Sequence, residues 1–237
     1  MTVSFSQLGN LGRMGNALFQ CAATISLALK NNTNYLFPQW KYQNDFNLNN
    51  CFSNNINIKN IYNEPFFHYQ TIPYLEDTDL VGYFRSYLYW QGYDDIIKSL
   101  LTPINTFPIK WGTTSIHIRH GDYKQFEDCH PILKMDYYQK AMDMIKSQRY
   151  LIVSDDIAWC KQNFIGEQFQ FSEADEITDL SLQVACENNI LSNSSFSWWG
   201  AYLNKNPSKI VVAPKTWFGP GLQHDTKDLC PPEWRRI

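Results

Sequence analysis

Three apolar runs in the second half of this chain each stop at a polar cluster, and helix-like stretches separate them. Residues 114–118 read as a strand that delivers His117, Arg119, His120 and Asp122 to one point. A second strand, 150–153, ends at Ser154, Asp155 and Asp156. A third starts at Ile190 and Leu191 and breaks at Ser192-Asn193-Ser194-Ser195, where a helix from Phe196 to Leu203 opens. Repeated strand–helix units require a parallel sheet with helices on both faces. Parallel strands all end on the same side, so the three clusters converge there. Ligands of open α/β sheets bind outside those strand ends.

The rest of the chain fits an α/β class. Helices are expected at 135–146, 157–163 and 179–189, and a strand at 209–213 before Pro214. Near the start, a strand at 3–6 precedes a glycine-punctuated loop at 9–16. A helix at 17–29 follows, with Leu18, Cys21, Ala22, Ile25 and Leu29 on one face. That order offers backbone N–H groups to an anion at a helix start. Its glycine spacing is not the dinucleotide fingerprint GxGxxG. Residues 31–63 are dense in Asn and read as irregular. A strand at 80–84, a helix at 90–101 and a Pro-containing linker at 102–111 come next. The division expected is 1–108 and 109–237.

Composition removes several function classes. The net charge of −3 and pI near 5.9 leave no basic stripe for nucleic acid or anionic membrane. The six cysteines are scattered without a CxxC pair, which argues for reduced thiols over a zinc site or a disulfide framework. Neither a signal peptide nor an apolar run of transmembrane length is visible. The expectation is a cytoplasmic chain with at most peripheral membrane contact. Aromatic residues at 16% suit either core packing or stacking on sugar rings.

The clusters suggest a division of chemical labour. The guanidinium of Arg119 fits two phosphate oxygens at once. Backbone N–H groups and hydroxyls of Ser194 and Ser195, at a helix start, suit a phosphate or simply cap the helix. Asp155 can accept two hydrogen bonds from guanine, or Asp155 and Asp156 can cap the next helix. No acidic pair reads as a metal-binding motif.

Here the chain resembles the α-1,2-fucosyltransferases of glycosyltransferase family 11. Gly12-Arg13-Met14-Gly15-Asn16-Ala17-Leu18-Phe19-Gln20 is similar to the family's N-terminal signature, and His117-Ile118-Arg119-His120-Gly121-Asp122-Tyr123 to its HxRRGDY motif. Ser154-Asp155-Asp156 with Trp159-Cys160 resembles its SDD stretch, and the segment from Ser192 to Leu203 its SNSSFSWWGAWL block. Pro214-Lys215-Thr216-Trp217-Phe218 and Pro232-Glu233-Trp234 also fit.

The resemblance implies a GT-B fold, two Rossmann-like domains facing across a cleft, with the first, acceptor-side domain reduced. It implies GDP-fucose as donor, a galactose-containing acceptor, inversion at the fucose carbon, and no metal or other cofactor. Carried over by position, Arg119 holds the diphosphate, His117 and Asp155 read guanine, and Ser194, Ser195 and Phe196 line the phosphate side. Arg13 and Asn16 reach the donor. Asp122, His120, His130 and Tyr123 are the candidates for the acceptor or its proton. Two positions depart from the pattern: His120 replaces the motif's second Arg, and Ala17 replaces a Gln. Those departures keep a second class open, a weak or inactive GDP-sugar or glycan-binding homologue. A fucosyltransferase of different linkage is a third reading.

Overall fold

The structure is a computed structural model that describes residues 1–237. It contains two compact α/β units. Unit 1 comprises Met1–Ile104 and His224–Pro231, and unit 2 comprises Asn105–Gln223 and Pro232–Ile237.

Unit 1 runs β1 (Thr2–Ser4), α1 (Met14–Lys30), β2 (Asn34–Leu36), β3 (Asn60–Asn63), β4 (Thr78–Val81) and α2 (Asp94–Leu101). Its sheet is parallel, in the order β2-β1-β4-β3. Helix α1 is buried from Met14 to Ala28 except at Asn16. The single apolar face expected for it is too narrow, because a helix apolar all round belongs inside a core. It also begins before residue 17. Gly12 turns the chain into it with φ +89°, and a Cβ there would fall 2.0 Å from Asn16 Nδ2.

Other expectations need correction in unit 1. The stretch 31–63 is not wholly irregular, since β2 and β3 lie within it. The strand expected at 80–84 ends at Val81, and the chain then turns through Phe84 at φ +53°. The helix expected at 90–101 is a 3-10 turn, Tyr87–Trp90, and α2, with Gly92 at φ +89° between them.

Unit 2 runs β5 (Thr113–Ile118), α3 (Met135–Ile145), β6 (Arg149–Ser154), α4 (Ile157–Asn163) and β7 (Phe169–Phe171). It continues with α5 (Glu176–Ala185), β8 (Asn188–Ile190), α6 (Ser195–Leu203), β9 (Val211–Ala213) and β10 (Arg235–Arg236). The six strands are parallel, in the order β10-β9-β8-β5-β6-β7. Successive β6 residues pack on opposite faces, as the period-2 pleat demands. Tyr150 and Ile152 join Tyr137, Tyr138, Ala141 and Met142 of α3. Leu151 and Val153 join Cys186, Leu182 and Phe196.

Central strand β5 is buried along its whole length, yet it carries Thr114, Ser115 and His117. Their polar atoms are met by neighbours on β8 and the loop after it. Asn189 Nδ2 donates to Ser115 Oγ at 2.8 Å, Asn188 Nδ2 to Thr114 Oγ1 at 3.4 Å, and His117 Nδ1 shares a 2.7 Å hydrogen bond with Ser192 Oγ. This ladder corrects the helix expected at 179–189. That helix stops at Ala185, and Asn188 and Asn189 belong to β8.

Candidate functional site

Neighbouring strands β8, β5 and β6 end side by side, so the three polar clusters meet at the C-terminal edge of the unit 2 sheet. Arg119 is the first residue past β5. Its Nη2 donates to Asp122 Oδ2 at 2.6 Å, and its Nε lies 3.3 Å from Asp155 Oδ2. The Tyr123 ring sits beneath it, 5.5 Å from the guanidinium carbon. Two carboxylates and a ring thus fix the plane of the cation. Both carboxylates meet the Nε–Nη2 edge of the guanidinium.

Asp155 does more than pair with Arg119. Its Oδ1 accepts the backbone N–H groups of His120 at 2.9 Å and Gly121 at 3.1 Å. Burial pushes this carboxyl up, but the His120 amide, the Arg119 charge and the Gly121 amide outweigh burial and hold it below its usual range. Asp155 therefore stays ionised and pins the loop that carries Arg119. Gly121 fits this approach, because a Cβ there would lie 3.1 Å from Asp155 Oδ2.

Asp156 caps α4, accepting the N–H of Trp159 at 3.1 Å. Its Oδ2 also meets His120 Nδ1 and Lys124 Nζ, each at 2.9 Å. These hydrogen bonds, from His120 first and then Lys124, hold its carboxyl well below the usual range. The His120 ring stacks on Trp159 at 4.5 Å. So Arg119 and His120, adjacent in sequence, face different partners. Arg119 turns to Asp122 and Asp155, and His120 turns to the start of α4.

His117 is 3% exposed and packs against Phe196 at 5.3 Å. Burial, then the nearby Arg119 charge, pushes its imidazole down to about 3, so it is neutral at physiological pH. A neutral ring can both donate and accept, which suits a base edge. Ser194 caps α6 by accepting the Phe196 N–H at 3.3 Å. Ser195 is the first residue of α6. Tyr123 donates to the Asn193 carbonyl at 3.1 Å and stacks on His130 at 4.8 Å, and His130 also faces Phe218.

Ten of the expected residues are thus gathered at one edge of the unit 2 sheet: His117, Arg119, His120, Asp122, Tyr123, His130, Asp155, Ser194, Ser195 and Phe196. Arg13 and Asn16 belong to unit 1. Arg13 is exposed at the start of α1, and Asn16 Oδ1 accepts Arg85 Nη2 at 2.6 Å.

Several participants escaped the sequence reading. Lys124 and Trp159 complete the His120–Asp156 contact. Asn193 Nδ2 ties two loops together through the carbonyls of Pro131 and Trp217, both at 3.1 Å. Arg85 had a legible signal, a cation just past an apolar run. No group of three or more His, Cys, Asp or Glu side chains is arranged to hold a metal ion. No helix is long and apolar enough to cross a membrane.

The chain is similar to several known glycosyltransferases. The chain is 33% identical, over 90% of its own length and 71% of the relative's, to the O-antigen biosynthesis glycosyltransferase WbnK of Escherichia coli. It is 28% identical to an alpha-1,2-colitosyltransferase of Escherichia coli, over 67% of this chain and 62% of that protein. A galactoside 2-alpha-L-fucosyltransferase of Caenorhabditis elegans is 22% identical over 65% of this chain and 51% of its own. The sequence model of glycosyl transferase family 11 matches residues 22–237, from within α1 through every strand-end cluster of unit 2. On that match, the chain belongs to glycosyl transferase family 11.

Proposed function

We propose that this protein moves L-fucose from GDP-fucose to the 2-hydroxyl of a galactoside, with inversion and without a metal. The observation that carries this reading is the Arg119 guanidinium, fixed at the end of β5 by Asp122 and Asp155. In the reaction the bond from the fucose anomeric carbon to the β-phosphate oxygen breaks. The acceptor oxygen bonds to the opposite face of that carbon, and its proton is released to water as GDP departs. Charge builds on the departing diphosphate, and an oriented cation stabilises it without reorganising at the moment of reaction.

On this reading the Arg119 guanidinium meets the diphosphate, backbone N–H groups at the start of α6 meet the α-phosphate side, and neutral His117 meets guanine. Asp155, expected from the resemblance to read guanine, instead turns both oxygens to the His120 and Gly121 amides and to Arg119, so its contribution is to hold the loop and the cation. Asp122 orients the same cation. On this reading the reaction takes place in the cytoplasm, and no cofactor beyond the donor is required.

One named relative favours a second donor. Similarity to an alpha-1,2-colitosyltransferase puts a colitosyl donor beside the fucosyl donor as a candidate. Incubation with GDP-fucose and lactose, followed by NMR of the product, tests the main reading. An α-1,2-linked fucosyl product supports it. Transfer only from the colitosyl donor would shift the reading to that sugar, and binding of GDP with no transfer from either donor would sink it.

A further inference from the structure

Tyr123 stands on a 3-10 turn, Asp122–Gln125, and its side chain makes three contacts at once. Its ring lies beneath Arg119, 5.5 Å from the guanidinium carbon. The same ring stacks on His130, with centroids 4.8 Å apart and the planes 17° from parallel. Its hydroxyl donates to the Asn193 carbonyl at 3.1 Å. The proton of that hydroxyl is thus committed to the backbone. A cation–π contact depends on where the ring face lies, and a phenol tied down at its far end has its face set.

Asn193 is the anchor, and it is buried. It lies between β8 and α6, next to Ser194, the residue that caps α6. Its side-chain nitrogen carries two hydrogens, and both find carbonyls, those of Pro131 and Trp217, each at 3.1 Å. Pro131 follows His130 in the chain, and Trp217 precedes Phe218. The His130 and Phe218 rings lie 5.8 Å apart. The contacts therefore close on themselves. They run from the Asn193 amide to Pro131, through His130 to the Tyr123 ring, and back through the Tyr123 hydroxyl to the Asn193 carbonyl. A leucine of similar size at this position would deprive both carbonyls of their donor.

We propose that Asn193 is a positioning residue for the transfer, which holds the Arg119 guanidinium in place through Tyr123. The inference rests on the transferase reading and gives the loop after β8 a part in orienting the cation. Asp122 and Asp155 fix the Nε–Nη2 edge of the guanidinium, and the Tyr123 ring fixes its face. Tyr123, a candidate for the acceptor or its proton, is a second positioning residue. A misplacement of about 1 Å can cost a reaction about 10²-fold, so a hold on the face matters as much as a hold on the edge.

The test uses the full chain as wild type, Tyr123→Phe and Asn193→Leu. Tyr123→Phe removes one hydroxyl and keeps the ring, so it should fold even if Asn193→Leu does not, and circular dichroism checks both. The Arg119 Nε–H signal, assigned by its loss in Arg119→Lys, is followed by NMR, because a ring beneath a guanidinium shifts it. GDP binding is read by calorimetry, guanosine binding by saturation-transfer NMR, and turnover by GDP release from GDP-fucose with lactose. Each folded variant should shift the Arg119 signal and weaken GDP at least about fivefold, with guanosine held within about twofold. Its kcat should fall at least about tenfold. Equal losses of GDP and guanosine, with the Arg119 signal unmoved, would show a merely structural role and overturn the proposal. So would wild-type kcat and GDP affinity in Tyr123→Phe. A wild type that binds GDP but releases none from GDP-fucose would count against the transferase reading alone. The Arg119 signal and the GDP–guanosine comparison would then still decide the hold on Arg119.

Discussion

Asp155 is the residue on which the unit 2 site turns. One carboxylate accepts two loop amides and faces Arg119 Nε, whereas Asp122 meets Arg119 at Nη2. Removing an acceptor from partly buried donors leaves them unsatisfied, at about 1–3 kcal/mol for such a group. Asp155→Ala should therefore lower stability by about 2–3 kcal/mol, which a urea melt will show. Asp122→Ala should cost under about 1 kcal/mol, because it removes one exposed ion pair. Both variants should weaken GDP binding, since each releases the plane of Arg119. Equal melts for the two would show that Asp155 does not pin the loop. At this scale the sequence was readable as to residue type but not as to partner. It put a carboxylate, an Arg and a His at adjacent strand ends. It did not show that Arg119 and His120 turn to different partners, because that depends on side-chain direction after the strand has ended.

Elements were legible where periodicity had room to repeat. Helix α4 occupies the 157–163 stretch expected of it, and β5 and β6 each lie within a residue or two of their expected bounds. Strands β7 and β10 carried no expectation, since three and two residues are too short for alternation to register. The α5–β8 boundary was misplaced for a physical reason. Asn188 and Asn189 look like helix-end or turn residues, yet they lie buried in a strand because Thr114 and Ser115 of β5 satisfy their amides. The loop into α1 shows the opposite case, where a single residue fixes an element. With φ +89° and no room for a Cβ against Asn16, Gly12→Ala should destabilise unit 1 by about 1–3 kcal/mol and displace Asn16. A thermal melt, with the Asn16 side-chain amide signals followed by NMR, checks this. Unchanged signals would show that the turn tolerates a side chain.

Across the whole molecule, two buried groups push acid stability in opposite directions. His117 is depressed to about 3 by burial and then by Arg119, so the unfolded chain takes up a proton near pH 6.5 that the folded chain refuses. Stability from this group is full above pH 6.5 and is lost as pH falls below it, by about 2 kcal/mol at pH 5. Asp179, which accepts Ser172 Oγ, is raised to about 6 by burial. Its ionised form is penalised above pH 6, and the penalty is relieved as pH falls from about 6 towards 4. The two effects offset each other in that window. Asp179→Asn should therefore gain about 1–2 kcal/mol at pH 7 and lose stability more steeply on acidification than wild type. Denaturant melts at pH 7, 6 and 5 read both signs. Parallel curves for variant and wild type would contradict the burial argument.

The chain passes between its units after Ile104, Gln223 and Pro231. No composition shift marks the return of His224–Pro231 to unit 1, because so short a segment has no periodicity of its own. The family, by contrast, was readable from motifs spread in order along the chain. Motif residues are held by chemistry rather than by packing alone.

The most direct test of the account is GDP release from GDP-fucose, in the presence of lactose, by wild type, Arg119→Lys and Arg119→Ala. The cation's plane is set by Asp122 and Asp155, so charge alone is not sufficient at this position. Arg119→Ala should lower kcat by about 10³-fold or more, and Arg119→Lys should recover only a small part of that. Wild-type turnover by Arg119→Ala, with the fold intact, would remove Arg119 from the reaction and the proposed mechanism with it.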